Sequence, residues 1–304
     1  VFAGGVSAIE VFAPAKLNLF LAITGRRADG FHDLVSVAVT LEFGDTLRAE
    51  TTAGAGGFGL ECDDASVPAD ESNLVIKAAR AFAVETGWPG AGTGVKFLLR
   101  KRVPAGAGLG GGSSDAVAAL RALNALAGAR LGPEELARLA AGLGSDCALF
   151  LHDGPVVMRG RGERIEALPA EASARLRGRR VLVFKPAFGI ATPWAYARLA
   201  AGAPGSYLPA AEAEARLAAW VGEADAAAEG LLFNSMERVA FGKFLALPTL
   251  LETLRAEFGL AGRMSGSGSA CFAFLKDETP VAEVMAAVRE AWGPTSFVVE
   301  TRVA

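Results

Sequence analysis

The 304-residue chain is poor in the residues that build disulfide scaffolds, metal centres and histidine-based catalytic sites, with three cysteines and two histidines. Cys62, Cys147 and Cys271 are odd in number, far apart and contain no C-x-x-C pair. That spacing indicates neither a disulfide framework nor a zinc site, and makes the cytoplasm the natural expectation. No apolar run approaches the ~20 residues that span a bilayer. Val1–Ala8 has neither a basic n-region nor a proper apolar h-region, which argues against secretion. Signatures of serine hydrolases, zinc peptidases and Walker A nucleotide sites are missing too: there is no G-x-S-x-G, no H-E-x-x-H and no G-x-x-x-x-G-K-[ST]. A net charge of −3 argues against a nucleic-acid binder with a broad basic surface. It leaves only local basic clusters, Arg26-Arg27 and Arg100-Lys101-Arg102, for small anions.

What is present is a globular composition, 52% hydrophobic and 21% charged, in a chain long enough for two domains. A boundary near residue 170 divides it into an N-terminal portion, 1–170, and a C-terminal portion, 171–304. In the first, strands are expected at Val11–Ile23, Leu34–Phe43 and Thr46–Thr51, the last two joined by a Gly44-Asp45 turn. Ser72 is expected to cap a helix through Thr86, closed by Gly87. A strand over Val95–Val103, helices over Ser114–Ala127 and from Pro133 to Gly142, and strands over Cys147–Leu151 and Pro155–Met158 follow. After a linker at Pro169–Arg180 come strands at Val181–Phe184, Cys271–Leu275 and Ser296–Arg302. Helices are expected at Pro209–Val221, Pro248–Phe258 and Val281–Ala291. Short strands interspersed with helices favour an α+β fold over a doubly wound sheet.

The densest feature is Pro104-Ala-Gly106-Ala-Gly108-Leu109-Gly110-Gly111-Gly112-Ser113-Ser114-Asp115, with five glycines in seven residues and a helical pattern directly after. Such a loop brings bare backbone close to a ligand, and the helix N-terminus aims N–H groups and the dipole's positive end at one spot. The expected ligand is a nucleotide or another phosphoester, the alternative being a plain glycine-rich tight turn. The formal G-x-G-x-x-G within it is a weak dinucleotide signal, because the acids about 20 residues on, Glu134 and Glu135, open a helix.

Four further patterns carry chemistry. In Pro14-Ala-Lys16-Leu-Asn18-Leu-Phe20, strand alternation puts Lys16 and Asn18 on one face; read alone, this suits a half-exposed strand with a solvated lysine. Asp29-Gly-Phe31-His32 is a turn carrying a ring and a histidine, fit to stack on a base or to lie at the surface. Asp146, in Gly144-Ser-Asp-Cys, reads equally as a general base, a partner for a lysine or a simple cap. Met264-Ser-Gly-Ser267-Gly268-Ser-Ala270 is a second glycine–hydroxyl loop, fit to close over phosphates.

Taken together and in order, Pro14–Asn18, Pro104–Ser114 and Arg263–Cys271 resemble the GHMP kinase superfamily. The resemblance is supported by Glu71-Ser-Asn73-Leu and Leu143-Gly-Ser-Asp146 and runs through most of the chain. It implies a two-domain α+β kinase, with a ribosomal S5 domain 2-like N-terminal domain and a ferredoxin-like C-terminal domain. Within the superfamily, the stretch Ala13–His32 narrows the resemblance and implies transfer of the γ-phosphate of ATP, with Mg2+, to the C2 hydroxyl of a cytidine-diphosphate-linked methylerythritol in non-mevalonate isoprenoid biosynthesis. By this resemblance Asp146 is the catalytic aspartate, which accepts or orients the hydroxyl proton and touches substrate, and Lys16 is the lysine that keeps it ionised. Asn73, Lys101, Pro104, Gly106, Gly108, Leu109, Gly110, Gly111, Gly112, Ser113 and Ser114 fall to ATP, with Ser114 also near the metal. Asn18, Phe31, His32, Thr192, Tyr196, Ser267 and Gly268 fall to substrate, His32 meeting cytosine between the rings of Phe31 and Tyr196. Phe31 stands where a tyrosine is usual, so a ring stacks there without a hydroxyl. Asp115 is expected along the helix side, away from phosphates. The implied partner is the small molecule, with no nucleic acid or membrane, and the chain acts as monomer or homodimer. Two alternatives stay open: another small-molecule kinase of the superfamily, acting on homoserine, mevalonate or a sugar, and a non-catalytic RNA-binding module.

Overall fold

A computed structural model describes residues 7–54 and 56–304. Most of the segment on which the secretion argument rests, Val1–Val6, lies outside the described residues. The chain forms two compact units: one comprises residues through Ala15, Phe43–Ala105 and Gly110–Asp153, the other Lys16–Glu42, Gly106–Leu109 and Gly154–Ala304. The units thus interleave in sequence. The cause is two long strands, β1 (Ala8–Arg26) and β2 (His32–Ala53), each of which has residues in both units.

β2 runs straight through Gly44 and Asp45, so the expected turn there is absent. Both residues have another use. A Cβ on Gly44 would lie 2.3 Å from the Ala13 carbonyl oxygen, so only glycine permits this approach of β1 and β2. The Asp45 carboxylate, fully buried, accepts the backbone N–H groups of Arg102 and Val103.

In the first unit, β3 (Gly57–Cys62) pairs in parallel with β4 (Thr93–Arg100), whose other edge pairs antiparallel with the end of β2, Thr46 opposite Arg100. Helix α1 (Leu74–Thr86) is capped by Asn73, one residue later than expected, because Asp70 has captured both the N–H and the hydroxyl of Ser72. Gly87 closes it in the left-handed region, as its position implies. Helices α2 (Gly111–Leu126) and α3 (Pro133–Leu143) follow; α1 packs on α2, where Val75, Phe82, Val117 and Leu120 are buried. Each such side chain contributes about 2 kcal/mol on full burial. The strand expected at Cys147–Leu151 is a 3-10 turn, Ala148–Leu151. Ala148, Leu149 and Phe150 are all buried in succession, and a short apolar run of this kind has no period that separates strand from helix.

In the second unit, β5 (Val156–Gly160) pairs antiparallel with the start of β2 and with β6 (Arg164–Ala167). Helix α4 (Ala170–Ala174) occupies the expected linker. Then come β7 (Arg180–Lys185), α5 (Thr192–Ala201), α6 (Ala210–Gly222), β8 (Phe233–Asn234), α7 (Glu237–Phe241) and α8 (Ala246–Phe258). The chain ends with β9 (Arg263–Met264), β10 (Cys271–Phe274), α9 (Val281–Trp292) and β11 (Phe297–Arg302). Strands β11-β7-β10-β9 form an antiparallel sheet, and β8 pairs in parallel with β1 at Phe20 and Leu21. A core including Ile23, Phe184, Leu199, Met236, Leu250 and Val288 fills this unit. The α+β class read from the sequence is the class observed.

Gly44→Ala is expected to lower stability by about 3 kcal/mol, because the new methyl meets main chain that has no room to retreat. Urea unfolding should show a lower midpoint with an unchanged slope.

Candidate active site

In the second unit, Lys16 and Asn18 are 3% and 7% exposed, so the solvated-lysine reading of β1 fails. Burying an ammonium and an amide in so apolar a strand is costly unless each is satisfied. A chain of donors does this: Lys16 Nζ donates to Asn18 Oδ1, Asn18 Nδ2 to Ser36 Oγ at 2.9 Å, and Ser36 Oγ to the Phe20 carbonyl at 2.6 Å.

The first half of the glycine loop sits against this strand. The Lys16 N–H donates to the Leu109 carbonyl (2.9 Å), Ser265 Oγ to the Gly108 carbonyl (3.1 Å) and the Ala270 N–H to the Ala107 carbonyl (3.0 Å). In a planar trans peptide the carbonyl and the next N–H are antiparallel. Turning the carbonyls of Ala107 and Gly108 into the protein therefore turns the N–H groups of Gly108 and Leu109 the opposite way, which suits an anion. Gly108 must be glycine twice over: its φ is +76°, and a Cβ would lie 2.3 Å from the Ser265 carbonyl oxygen. Gly266 lies near the polar pair, its Cβ position 3.3 Å from Asn18 Oδ1 and 3.4 Å from Lys16 Nζ.

The Ser265–Ser269 loop is itself braced. Asn234 Nδ2 donates to the carbonyls of Met264 and Gly266, Glu237 accepts the Met264 N–H, and Ser269 Oγ donates to the Phe188 carbonyl. Ser267 and Thr192, both expected at substrate, share a hydrogen bond of 2.8 Å. Ser265 belongs to the glycine–serine loop that the sequence marks; Ser36 and Asn234 carry no local signal.

His32 is buried, with the Tyr196 ring centroid 5.0 Å away and its Nε2 3.2 Å from the Tyr207 hydroxyl. Burial, with Arg26 nearby, lowers its pKa, so the ring is neutral at physiological pH. Phe31 is exposed, with the Arg161 guanidinium 5.1 Å over its ring. Tyr207 is a further residue that sequence reading passed over, since its loop holds no recognisable pattern.

The first unit holds the second half of the loop. Gly110 is in the left-handed region and caps α2 without a side-chain hydrogen bond, so the first-turn N–H groups of Gly111–Ser113 have no side-chain cap. Ser114 Oγ is buried and has no hydrogen-bond partner among the described residues. Ser113 lies beside the thiol of Cys147, next to the half-buried Asp146, so the loop's hydroxyls and the Asp146 turn are close together. Burial pushes the Cys147 thiol up to about 11. Asn73 spends its amide on the α1 cap and on the Pro68 carbonyl.

The Lys101 ammonium is buried between two carboxylates: it donates to Asp45 and, at 2.7 Å, to Asp115. Asp115 therefore turns into the protein, where the sequence reading put it along the helix side. Burial pushes Asp115 up to about 7, Lys101 opposing and Asp45 adding repulsion. Among the described residues no cluster of three or more His, Cys, Asp or Glu side chains could hold a metal, and no helix is long and apolar enough to cross a membrane.

The chain is similar to known proteins along most of its length. The GHMP kinases N terminal domain matches residues 73–154 and the GHMP kinases C terminal domain residues 210–294. The 4-diphosphocytidyl-2-C-methyl-D-erythritol kinase of Synechococcus sp. (strain CC9902) is 38% identical over 278 residues, 89% of this chain and 88% of that protein. The same-named protein of Methylacidiphilum infernorum (isolate V4) is 38% identical over 90% of this chain and 88% of its own. The chain belongs to the GHMP kinase family. A crystal structure of a 4-(cytidine 5'-diphospho)-2C-methyl-D-erythritol kinase superposes with a TM-score of 0.73 at 34% identity, covering 97% of this chain and all of that one. A homoserine kinase from Cytophaga hutchinsonii superposes as well, TM-score 0.74 over 100% and 97% of the two chains, but at 19% identity shares only the fold.

Lys101→Met leaves two carboxylates buried without their cation and should destabilise the ligand-free protein by roughly 3–5 kcal/mol in urea unfolding. A lysine whose ammonium served only a nucleotide would leave that stability unchanged. Asp115→Asn tests the titration. An acid whose folded pKa of about 7 lies above its unfolded value of about 3.9 supports folding fully below the lower value and loses that support as pH rises through the higher. The wild type should therefore lose stability relative to Asp115→Asn between about pH 4 and about pH 7; parallel curves would refute the assignment.

Proposed function

We propose that this chain transfers the γ-phosphate of ATP to the C2 hydroxyl of 4-(cytidine 5'-diphospho)-2-C-methyl-D-erythritol. It is an enzyme, a phosphotransferase acting on an alcohol group, of the non-mevalonate isoprenoid route. The observation that carries this reading is the buried Lys16–Asn18 pair, set against the Gly106–Leu109 backbone and the Ser265–Ser269 loop. A phosphoryl group in transfer spreads charge over its oxygens, and a fixed ammonium with outward N–H groups is built to receive it.

In this reading the backbone of Gly106–Gly112, with Pro104, Ser113, Asn73 and Lys101, holds the nucleotide. Asn18, Thr192, Ser267 and Gly268 hold the alcohol end of the substrate, and Phe31, His32 and Tyr196 its cytosine. Asp146 accepts or orients the proton of the attacking hydroxyl. Mg2+ would take the orphaned Ser114 hydroxyl, a hard oxygen donor, with phosphate oxygens supplying other ligands. When bound, it neutralises phosphate charge. The chain works in the cytoplasm on this small molecule, with no nucleic-acid or membrane partner, as a monomer or homodimer.

Steady-state assays decide the substrate: the cytidine diphosphate compound should show saturable turnover, and mevalonate and homoserine none. Equal turnover of all three would overturn the assignment in favour of a broader kinase. Asp146→Asn should lower kcat by about 10²–10⁴ with ATP affinity little changed, as loss of proton transfer without loss of binding requires. Undiminished turnover removes Asp146 from the reaction.

A further inference from the structure

The imidazole of His32 has two nitrogens, and which one carries the proton decides what the ring can read. One of them is committed within the protein. Nε2 lies 3.2 Å from the Tyr207 hydroxyl, whose ring meets the imidazole edge-on at 5.8 Å. Tyr207 is itself held in place: its N–H donates to the Pro204 carbonyl, the next residue's N–H to the Ile23 carbonyl, and Arg238 Nη1 to the Gly205 carbonyl. The segment that carries the phenol is therefore tied to β1, the strand before His32, which itself opens β2.

We propose that Tyr207 is a positioning and specificity-determining residue: it donates its hydroxyl proton to His32 Nε2, fixes the ring as the Nδ1–H tautomer, and so sets it to read an unprotonated ring nitrogen. Two arguments carry this. A phenol is a stronger acid than a neutral imidazole N–H, so of the two groups it is the better donor, and the imidazole lone pair the better acceptor. The ring is neutral, because burial and Arg26 both disfavour its cation, so only one nitrogen bears hydrogen. With Nε2 accepting, Nδ1 must donate.

A donor at Nδ1 discriminates between pyrimidines. Cytosine offers an acceptor at N3, whereas uracil offers N3–H there, donor against donor. The opposite tautomer would invert the preference. A mismatched buried polar group is costly because its lost hydration is not replaced, so a single proton position yields selectivity. This inference rests on the cytidine reading of the site given above and adds to it the residue that sets the reading.

The test uses the full chain with cytidine 5'-diphosphate and uridine 5'-diphosphate as probes, titrated calorimetrically into the wild type and Tyr207→Phe. That substitution keeps the ring and its edge contact and removes only the hydroxyl. Wild type should prefer the cytidine nucleotide by about tenfold or more, and the variant should lose most of that preference. In turnover with the cytidine substrate, KM should rise several-fold while kcat stays within about twofold, since the hydroxyl touches no reacting atom. 15N spectra of the histidine ring should show the Nδ1–H tautomer in wild type and a mixture in the variant. An Nε2–H tautomer in wild type, or an unchanged nucleotide preference in the variant, overturns the inference while leaving the proposed activity intact. Failure of the wild type to bind the cytidine nucleotide overturns the cytidine reading itself, and this inference with it.

Discussion

The hydrogen bond from the Lys16 N–H to the Leu109 carbonyl is where the second unit's chemistry begins. It ties the strand that carries the polar pair to the loop that offers bare backbone, two segments more than ninety residues apart in the chain. With that bond in place, the carbonyls of Ala107, Gly108 and Leu109 all have partners inside the protein. Each partner is neutral, and each fixes a peptide plane. The N–H groups on the other side are then pre-aimed, so no reorganisation is needed when charge arrives, the condition under which such dipoles stabilise most. A lysine placed in the same strand without this framework would be an uncompensated cost. Here its ammonium is held by Asn18, and Asn18 by Ser36, so the burial that strengthens its field does not leave a donor orphaned.

Most of this was legible in the sequence where the signal is local. The glycine run, the alternation of Lys16 and Asn18 and the helix over 114–127 each follow from spacing or turn chemistry within a few residues, and each stands in the structure. Errors arise where a long-range contact decides. Gly44-Asp45 has the composition of a turn, yet glycine is there to admit the Ala13 main chain and aspartate to hold the backbone of Arg102 and Val103. Ser72 has the composition of a cap, but Asp70 reaches it first and Asn73 takes the role. The apolar run at Cys147–Leu151 carries no period, so packing alone settles its shape. Tyr207 and Asn234 had no signal at all, because their partners lie 175 and 30 or more residues away.

Lys101 shows how a single residue type supports two readings that only geometry separates. A lysine at the end of a strand, just before a glycine loop, looks like a phosphate ligand. In the structure its side chain is 7% exposed and its ammonium meets two carboxylates, while the carboxylate of Asp45 also holds the main chain of Arg102 and Val103. The cation thus braces the route by which β4 enters the loop, and a contribution to the nucleotide would come from its backbone and stem more readily than from its charge. The position where a Cβ of Gly111 would stand is 3.3 Å from Lys101 Nζ, so the same brace reaches the first residue of α2.

The two halves of the glycine run are therefore held by different physics. Residues 106–109 rest on neutral hydrogen bonds, which are indifferent to pH and little screened by salt. At the other end, Gly111 and Asp115 meet one ammonium shared by two carboxylates, one of which is pushed up to about 7. Two carboxylates on a single buried cation leave one negative charge uncompensated when both are ionised, and a proton on Asp115 removes that excess. The helix end, whose first N–H groups have no side-chain cap, is thereby spared part of the negative charge of its first turns. Glycine supplies the shape of the loop, and the Lys101 cluster decides how much positive potential survives at its helical end.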